Sequence, residues 1–314
     1  MITCLVTGGA GFLGAHVVKY LLEKTDWNIL IWDKFTYASS GGKRLIPFQD
    51  NPRVMIETKD VSLVLFASPQ FNVEYIVHLA AETHVDRSID DPDPFIVSNI
   101  EGTYSMLEYA RRLPNLKKFL QFSTDEVFGS SGDGDEVFWE WSRYRSSNPY
   151  AATKAAAEEL ALAWQNTYKL PVVISHCSNI FGEDQHEEKF IPKLIRLIGS
   201  GEEVPIHVNE EDIPGQRMYV YAGDVAQAIR LLLEKGEIGQ KYNIPGISYS
   251  NEQIANTVAH LMKRIWHPKR ITPYKERPGW DFSYQIIGEK IKDLGWEPGN
   301  FLEQLEKVVI AECQ

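Results

Sequence analysis

The sequence predicts an α/β fold, a doubly wound parallel sheet over residues 1–180 followed by a smaller mixed α/β C-terminal substrate domain over 181–314. Three observations predict it. Short β-branched runs alternate with helix-length segments through the first half, which implies right-handed crossovers and a sheet covered on both faces. Those runs are nearly continuous apolar stretches rather than alternations, as strands buried on two sides require. A glycine-rich turn joins the first strand pattern to the first helix pattern, where an open parallel sheet binds its ligand.

In chain order, 2–7, 28–33, 54–58, 75–79 and 117–122 read as strands, and 11–24, 61–70 and 92–113 as helices. A long helix at 149–169 and a buried strand at 171–176 follow. Beyond Phe181 glycine and proline become frequent and short elements alternate with loops. Helical patterns remain at 223–235, 250–264 and 300–313, and some of these elements can cross back to the first sheet. The stretch 129–148 is polar, acidic and aromatic-rich without a period and reads as a surface loop, with Trp139 and Trp141 expected to pack.

At 314 residues and 44% hydrophobic content the chain can bury a sizeable core. Its 32 Lys and Arg against 43 Asp and Glu leave a net charge of −11, without the basic footprint of a general nucleic-acid binder. No apolar run approaches the ~18 residues of a spanning helix, so no membrane partner is expected. Cys4, Cys177 and Cys313 are odd in number and far apart. They read as buried thiols in a reducing compartment, with no disulfide framework and no metal cluster. The chain opens on a strand pattern rather than a charged leader, so the expected location is cytoplasmic.

The turn Thr7-Gly8-Gly9-Ala10-Gly11-Phe12-Leu13-Gly14 has glycines at 8, 11 and 14. They serve a tight turn, backbone close enough to touch a pyrophosphate, and close helix–strand packing, with the anion on free N–H groups at the helix start. Asp33 closes the second strand 19 residues after Gly14, the spacing at which a carboxylate meets a ribose diol. This is the Rossmann pattern, and a carboxylate there repels a 2′-phosphate, favouring NAD over NADP. The adjacent Lys34 works against that preference.

Two further clusters carry chemistry. Tyr150 and Lys154 lie at i and i+4 on one helix face. A phenol of ordinary pKa near 10 is a weak base at neutral pH. A nearby ammonium and a cationic nicotinamide favour its phenolate, which could then accept a substrate proton. Ser123-Thr124-Asp125-Glu126 follows the fifth strand, placing a hydroxyl and two adjacent carboxylates where ligands bind in open sheets. Neighbouring carboxylates can split into an acid and a base. A helix cap is the competing reading of that run, but Val-Phe-Gly rather than a helix pattern follows it.

With these motifs in place, the chain resembles the extended short-chain dehydrogenases/reductases, and within them the dTDP-glucose 4,6-dehydratases. The matching stretches span residues 3–296 and include TGGAGFLG (7–14), HLAAETHVDRSID (78–90), STDEVFG (123–129), PYAATKAAAE (149–158), CSNIFG (177–182), EKFIPK (188–193), YNIPG (242–246) and ERPGWD (276–281). STDEVFG and HVDRS are the specific ones. The resemblance implies that Tyr150, assisted by Lys154, takes the proton of a hexose C4 hydroxyl while NAD takes the C4 hydride. Glu126 then removes the C5 proton, Asp125 protonates the leaving C6 hydroxyl, Thr124 holds the C4 oxygen, and the hydride returns to C6. It places cofactor contacts at Phe12, Leu13, Asp33, Lys34, Phe35, Thr36, Asp60, Val61, Leu79, Ala80, Ala81, Thr83, Ser98, Tyr150 and Lys154. Contacts to a nucleoside-diphosphate hexose fall at Thr83, Arg87, Thr124, Asn179, Lys189 and Arg217, the last on the diphosphate. It also implies a homodimer joined through the helices at 92–113 and 149–169.

The match departs on the nucleotide side, at His207, Ser248, Trp280 and 208–215, so the base (thymine, uracil or another) stays open. Rival readings are a UDP-glucose 4,6-dehydratase, a C4 epimerase or C6 decarboxylase of the same fold, which needs no carboxylate pair, and a catalytically silent NAD-binding interaction protein.

Overall fold

The computed structural model describes residues 2–69, 71–132, 136–272 and 281–313. Its main sheet is formed by β1 (Thr3–Thr7), β2 (Asn28–Asp33), β3 (Val54–Thr58), β4 (Tyr75–His78), β5 (Lys118–Thr124), β6 (Val172–Cys177) and β10 (Lys241–Ile244). The order is β10-β6-β5-β4-β1-β2-β3, and every pairing is parallel. The expected doubly wound parallel sheet is present, and a strand from beyond residue 181 completes one edge.

Both faces are covered, which is why the strands are apolar throughout. On one face α1 (Phe12–Lys24) packs with α7 (Ala222–Lys235), joining Val17, Val18 and Leu21 to Val225, Ile229 and Leu232. On the other, α4 (Gly102–Ala110) and α5 (Pro149–Tyr168) close over Leu5, Leu30, Ile76, Phe119 and Ile174. A separate core gathers α6 (Phe190–Ser200), α8 (Asn251–Leu261) and α10 (Phe301–Glu312) with β8 (Glu203–His207) and β9 (Gln216–Tyr221). Strand β9 also lies between β7 (Asn179–Phe181) and β11 (Ile247–Ser250), and β8 pairs with β12 (His267–Ile271).

Helix ends follow the local chemistry. Asn148 caps α5 by accepting from Ala151 N–H, and Lys169 terminates it in the left-handed region at φ 58°. Ser250 and Gln253 form a reciprocal capping box on α8.

Four expectations are corrected. The helix expected at 61–70 is a single 3-10 turn, Val61–Leu63, started by the Asp60 carboxylate on Ser62 N–H. Val61 and Val64 are buried while Leu63 and Phe66 are exposed, so the apolar spacing never meets a second surface (residue 70 lies outside the described residues). The helix expected at 92–113 is interrupted: α3 (Asp93–Phe95) passes into a π-type stretch, Ile96–Glu101, before α4. That stretch turns Ser98 and Asn99 inward. Trp139 and Trp141 are largely exposed, Trp141 only carrying the Lys241 ammonium over its ring at 4.8 Å. They lie in a turn closed by Ser142 N–H on Trp139 O, in which Phe138 and Glu140 take the inward positions. Cys4 and Cys177 are buried as expected, but Cys313 is exposed past the last helix.

A charged group is buried where β6, β10 and α5 meet. Glu158 of α5 lies 2.8 Å from His176 Nε2 and 3.5 Å from Lys241 Nζ, all three within the core. Burial alone raises its carboxyl, but His176, Lys241 and the Ser123 hydroxyl outweigh burial and hold it down to about 2. A carboxyl depressed in the folded state stabilises the fold above its ordinary value near 4.5, and that contribution is lost as pH falls towards 2. Urea midpoints measured between pH 7 and pH 3 should therefore fall steeply for the wild type. Glu158→Gln should cost about 3 kcal/mol at pH 7 and show a flatter acid limb.

Candidate active site

All seven strands of the main sheet point the same way, so the turns that follow them gather at one edge. After β1, Gly8 (φ +70°) turns the chain and its amide donates to Trp32 O. A Cβ on Gly14 would lie 2.2 Å from Gly8 O, so only glycine lets α1 pack this tightly. The helix has no side-chain cap, which leaves its first N–H groups to a ligand. At the end of β2 the buried Asp33 accepts from Ala10 N–H (3.0 Å) and Phe35 N–H (2.7 Å). Burial raises its pKa, and these two bonds oppose the rise. Nearby, Lys34 lies 3.9 Å from Glu82 and Lys59 lies 2.8 Å from Glu57, so neither lysine offers an uncompensated charge to a 2′-phosphate.

These groups line a cavity of about 310 Å³. Of the expected cofactor contacts it contains Gly8, Gly11, Phe12, Leu13, Gly14, Asp33, Lys34, Thr36, Val61, Leu79, Ala80, Ala81, Thr83, Ser98, Tyr150 and Lys154. Phe35 and Asp60 are not in its wall: Phe35 packs against the core with φ 55°, and Asp60 serves as the cap described above. An extended cleft with a free helix N-terminus, a glycine-only approach and a buried carboxylate at the second strand fits a dinucleotide.

The same cavity contains Thr124, Asp125 and Glu126 beside Tyr150 and Lys154. Thr124 does cap a short turn, Asp125–Phe128, accepting from Glu126 N–H. The cap and the site are thus one structure, and the turn fixes where both carboxylates point. Asp125 Oδ1 accepts from Thr124 Oγ1, while the buried Oδ2 has no protein partner. Burial, and then the charge of Glu126, push the Asp125 carboxyl up to about 8, leaving it protonated at neutral pH. Asn148 Nδ2 lies 3.5 Å from Glu126.

Tyr150 is held by Ser88 of the HVDRS stretch, whose hydroxyl accepts its N–H at 3.2 Å. Asn99 ties the π-type stretch to α5 through Thr153. Burial and then Glu126 push the phenol well above its usual range, and a hydrogen bond with Thr124 opposes them. The sequence expectation had the opposite sign: Lys154 lies one turn away but donates to Phe122 O at 2.6 Å. Burial lowers Lys154 to about 8, with Glu158 resisting.

Of the expected substrate contacts, Thr83, Thr124, Asn179 and Lys189 line the cavity. Arg217 lines an adjoining one of about 290 Å³, which shares Thr83, Glu126, Asn179 and Lys189 with the first. Its guanidinium stacks on Tyr284 and donates to the carbonyls of Gln216, Asp281 and Phe282. Arg87 is in neither wall; it lies over the Tyr37 ring and bonds Glu188. His207 lines the second cavity, and Ser248 accepts from Gln285 outside it. Residues 276–280 of ERPGWD, including Trp280, lie outside the described residues. Reading the sequence missed Trp32, Lys59, Glu82, Cys177 and the Gln185–Glu188 side of the mouth. Glu82, Cys177 and Glu188 had a sequence signal, lying inside the HLAAETHVDRSID, CSNIFG and EKFIPK stretches.

Fold and cavity together define a dinucleotide-dependent enzyme that pairs a Tyr–Lys couple with two carboxylates. The chain belongs to the NAD dependent epimerase/dehydratase family, whose model matches residues 4–245. It is 37% identical to a dTDP-glucose 4,6-dehydratase of Neisseria gonorrhoeae, covering 94% of this chain and 90% of that one. Among solved structures, DesIV, the dTDP-glucose 4,6-dehydratase of Streptomyces venezuelae with NAD and TYD bound, superposes with a TM-score of 0.90. Identity there is 31%, over 99% of this chain and 96% of the other. A Thermus thermophilus UDP-glucose 4-epimerase in complex with NAD has a TM-score of 0.88 at 26% identity, covering 99% of each chain. The fold by itself therefore does not separate elimination from epimerisation.

The contact between Gly14 and Gly8 O has a direct consequence. Gly14→Ala should lower stability by about 1–3 kcal/mol and abolish NAD binding, since the turn must open to admit the methyl group. Thermal melting with and without NAD checks both effects.

Proposed function

We propose that the protein is a nucleotide-sugar 4,6-dehydratase that converts a nucleoside-diphosphate hexose, with dTDP-glucose the first candidate, to the 4-keto-6-deoxy sugar. The observation that carries this reading is the carboxylate pair. Asp125 lines the cavity and keeps its proton at neutral pH, and its neighbour Glu126 lines the same wall. Epimerisation at C4 has no use for such a pair, whereas loss of water across C5 and C6 needs an acid and a base together.

The glycine turn and Asp33 would hold NAD, which would supply the redox chemistry as acceptor of the C4 hydride and its donor to C6. The protein's own groups manage the protons. Tyr150 accepts the C4 hydroxyl proton once its own has gone, a loss eased by the Thr124 bond. The ketone formed at C4 acidifies the C5–H bond. Glu126 takes that proton while Asp125 gives its proton to the C6 hydroxyl, which leaves as water. Glu126 would return its proton to C5 as C6 receives the hydride, and the proton taken by Tyr150 would pass to Asp125, so that phenolate, acid and base are all restored. The floor beneath these groups is dry, with Thr124, Asp125, Tyr150 and Lys154 all buried.

The protein is further proposed to act as a homodimer through α4 and α5. Ile96, Val97, Tyr104 and Tyr168 are exposed apolar groups on and beside these helices. Tyr104 and Tyr168 both pack edge-on against Trp164, forming one aromatic face. In place of a membrane or nucleic-acid partner, a second copy of the chain is the partner these residues suit. The proposed location is the cytoplasm, where nucleotide sugars are made.

Two outcomes are expected. Incubation with dTDP-glucose or UDP-glucose should give a product lighter by one water in mass spectrometry. Its formation should slow above about pH 8, where Asp125 and Lys154 both lose a needed proton. Asp125→Asn and Tyr150→Phe should each slow it by about 10²–10⁴-fold, Asp125→Asn alone accumulating reduced nicotinamide. An unchanged hexose with either nucleotide would count against the reading. For assembly, light scattering should give twice the chain mass for the wild type and the single mass for Tyr104→Glu.

A further inference from the structure

Two turns of α5 carry Tyr150, Lys154 and Glu158 at steps of four, so all three lie on one buried face. Glu158 is the only one of the three without a place in the cavity wall. A carboxylate at zero exposure is costly to bury, and this one is surrounded by donors from four other elements. Ser123 Oγ of β5 donates to Oε1. Tyr144 OH from the loop before α5, His176 Nε2 from β6 and Lys241 Nζ from β10 converge on Oε2. The Asn243 amide gives its hydrogens to Phe138 O and Ile287 O and so presents its oxygen to His176 Nδ1. Lys241 also bonds Tyr144. The arrangement leaves little freedom to the carboxylate or to what it holds.

Two of its connections lead to the chemistry. Ser123 immediately precedes Thr124, Asp125 and Glu126, so its bond to Glu158 fastens the end of β5 to the helix that carries Tyr150 and Lys154. Lys154 is the next residue back along the same face. Its surroundings are a carbonyl, Phe122 O, and the neutral His78 of β4, whose ring is fixed between Thr7 and Thr103. Burial lowers His78 to about 3, with Lys154 adding to the effect. Glu158 is thus the one negative charge that favours the ammonium form of Lys154 from within its own helix.

We propose that Glu158 is a positioning residue of the reaction: it keeps Lys154 charged and locks the Thr124–Glu126 turn to the Tyr150 helix through Ser123. Its energetic role in the fold and its role in the chemistry are separable. Stability depends on His176 and Lys241 being paired, whereas reactivity depends on the negative charge one turn from Lys154. This inference rests on the dehydratase reading only for the step that Lys154 assists; the charge relation itself holds in the resting protein.

The test titrates Lys154 directly, by NMR of protein labelled with ¹³C at the lysine ε-carbon. Lys154→Arg assigns the signal. In Glu158→Gln the midpoint for Lys154 should move to lower pH by about one unit, and the alkaline limb of kcat/KM should move with it. Glu158→Asp, which keeps the charge, should restore most of both. Should Glu158→Gln alone not fold, the double variant Glu158→Gln, Lys241→Met removes the unpaired ammonium with the carboxylate and should move the midpoint in the same direction. A folded variant, by melting curve, in which the Lys154 midpoint stays at the wild-type value overturns the proposal. A moved midpoint in a protein that releases no water from any nucleotide hexose supports the charge relation and overturns the dehydratase reading instead.

Discussion

A parallel sheet sends every strand out of the same edge, and nearly all else in this protein follows from that constraint. Gly8 follows β1, Asp33 ends β2, Leu79 and Ala80 follow β4, Thr124 ends β5 and Cys177 ends β6. These residues are scattered between positions 8 and 177 of the sequence, yet they line one cavity. The groups proposed to hold a dinucleotide and those proposed to move protons are neighbours because the strands are parallel and adjacent. The tight approach of α1 to the first turn, possible only with glycine at 14, then sets the depth of the cleft.

The second constraint is electrostatic. Burial in a dry floor raises Asp125 and Tyr150 and lowers Lys154, so at neutral pH the site holds an acid that keeps its proton, a phenol that needs help to lose its own, and an ammonium near its limit. Each displacement has burial as its largest cause, and a specific neighbour modifies it: Glu126 adds to the rise on the acid, whereas Thr124 opposes the rise on the phenol and Glu158 opposes the fall on the ammonium. The site depends on spacing among a few charges rather than on any single unusual residue, which is why the Ser123–Glu158 bond matters as much as the groups that face the cavity.

Domain organisation is less simple than the change in composition near residue 181 suggests. The later segment has its own core around Leu194, Ile198, Ile254 and Leu305. It also returns β10 to the main sheet and α7 to its face. Lys241 on that returning strand closes the charge cluster around Glu158, so the C-terminal segment helps to build the interior behind the catalytic helix. Arg217 illustrates the same interdependence. Its donors are engaged by the 281–282 backbone, so the second cavity is shaped by contacts that only form when both segments are folded.

What the sequence determined by itself was whatever local chemistry dictates. The glycine spacing at 8, 11 and 14, the acidic end of β2, the i and i+4 placement of Tyr150 and Lys154 and the hydroxyl–carboxylate run after β5 were all legible, because each is a short-range requirement of backbone geometry or motif. The strands were legible too, since burial on both faces writes itself as continuous apolar runs. Tertiary structure decided the rest. The 61–70 segment has helical spacing but buries only Val61 and Val64, leaving Leu63 and Phe66 exposed, and its helix stops after one turn. Trp139 and Trp141 face outward because a turn closed by Ser142 N–H on Trp139 O puts Phe138 and Glu140 inward. The protonation of Asp125, the sign of the shift on Tyr150 and the role of Glu158 come from burial and from charges brought close by strands distant in sequence. Desolvation and Coulomb energy depend on distance in space, and no spacing along the chain encodes them.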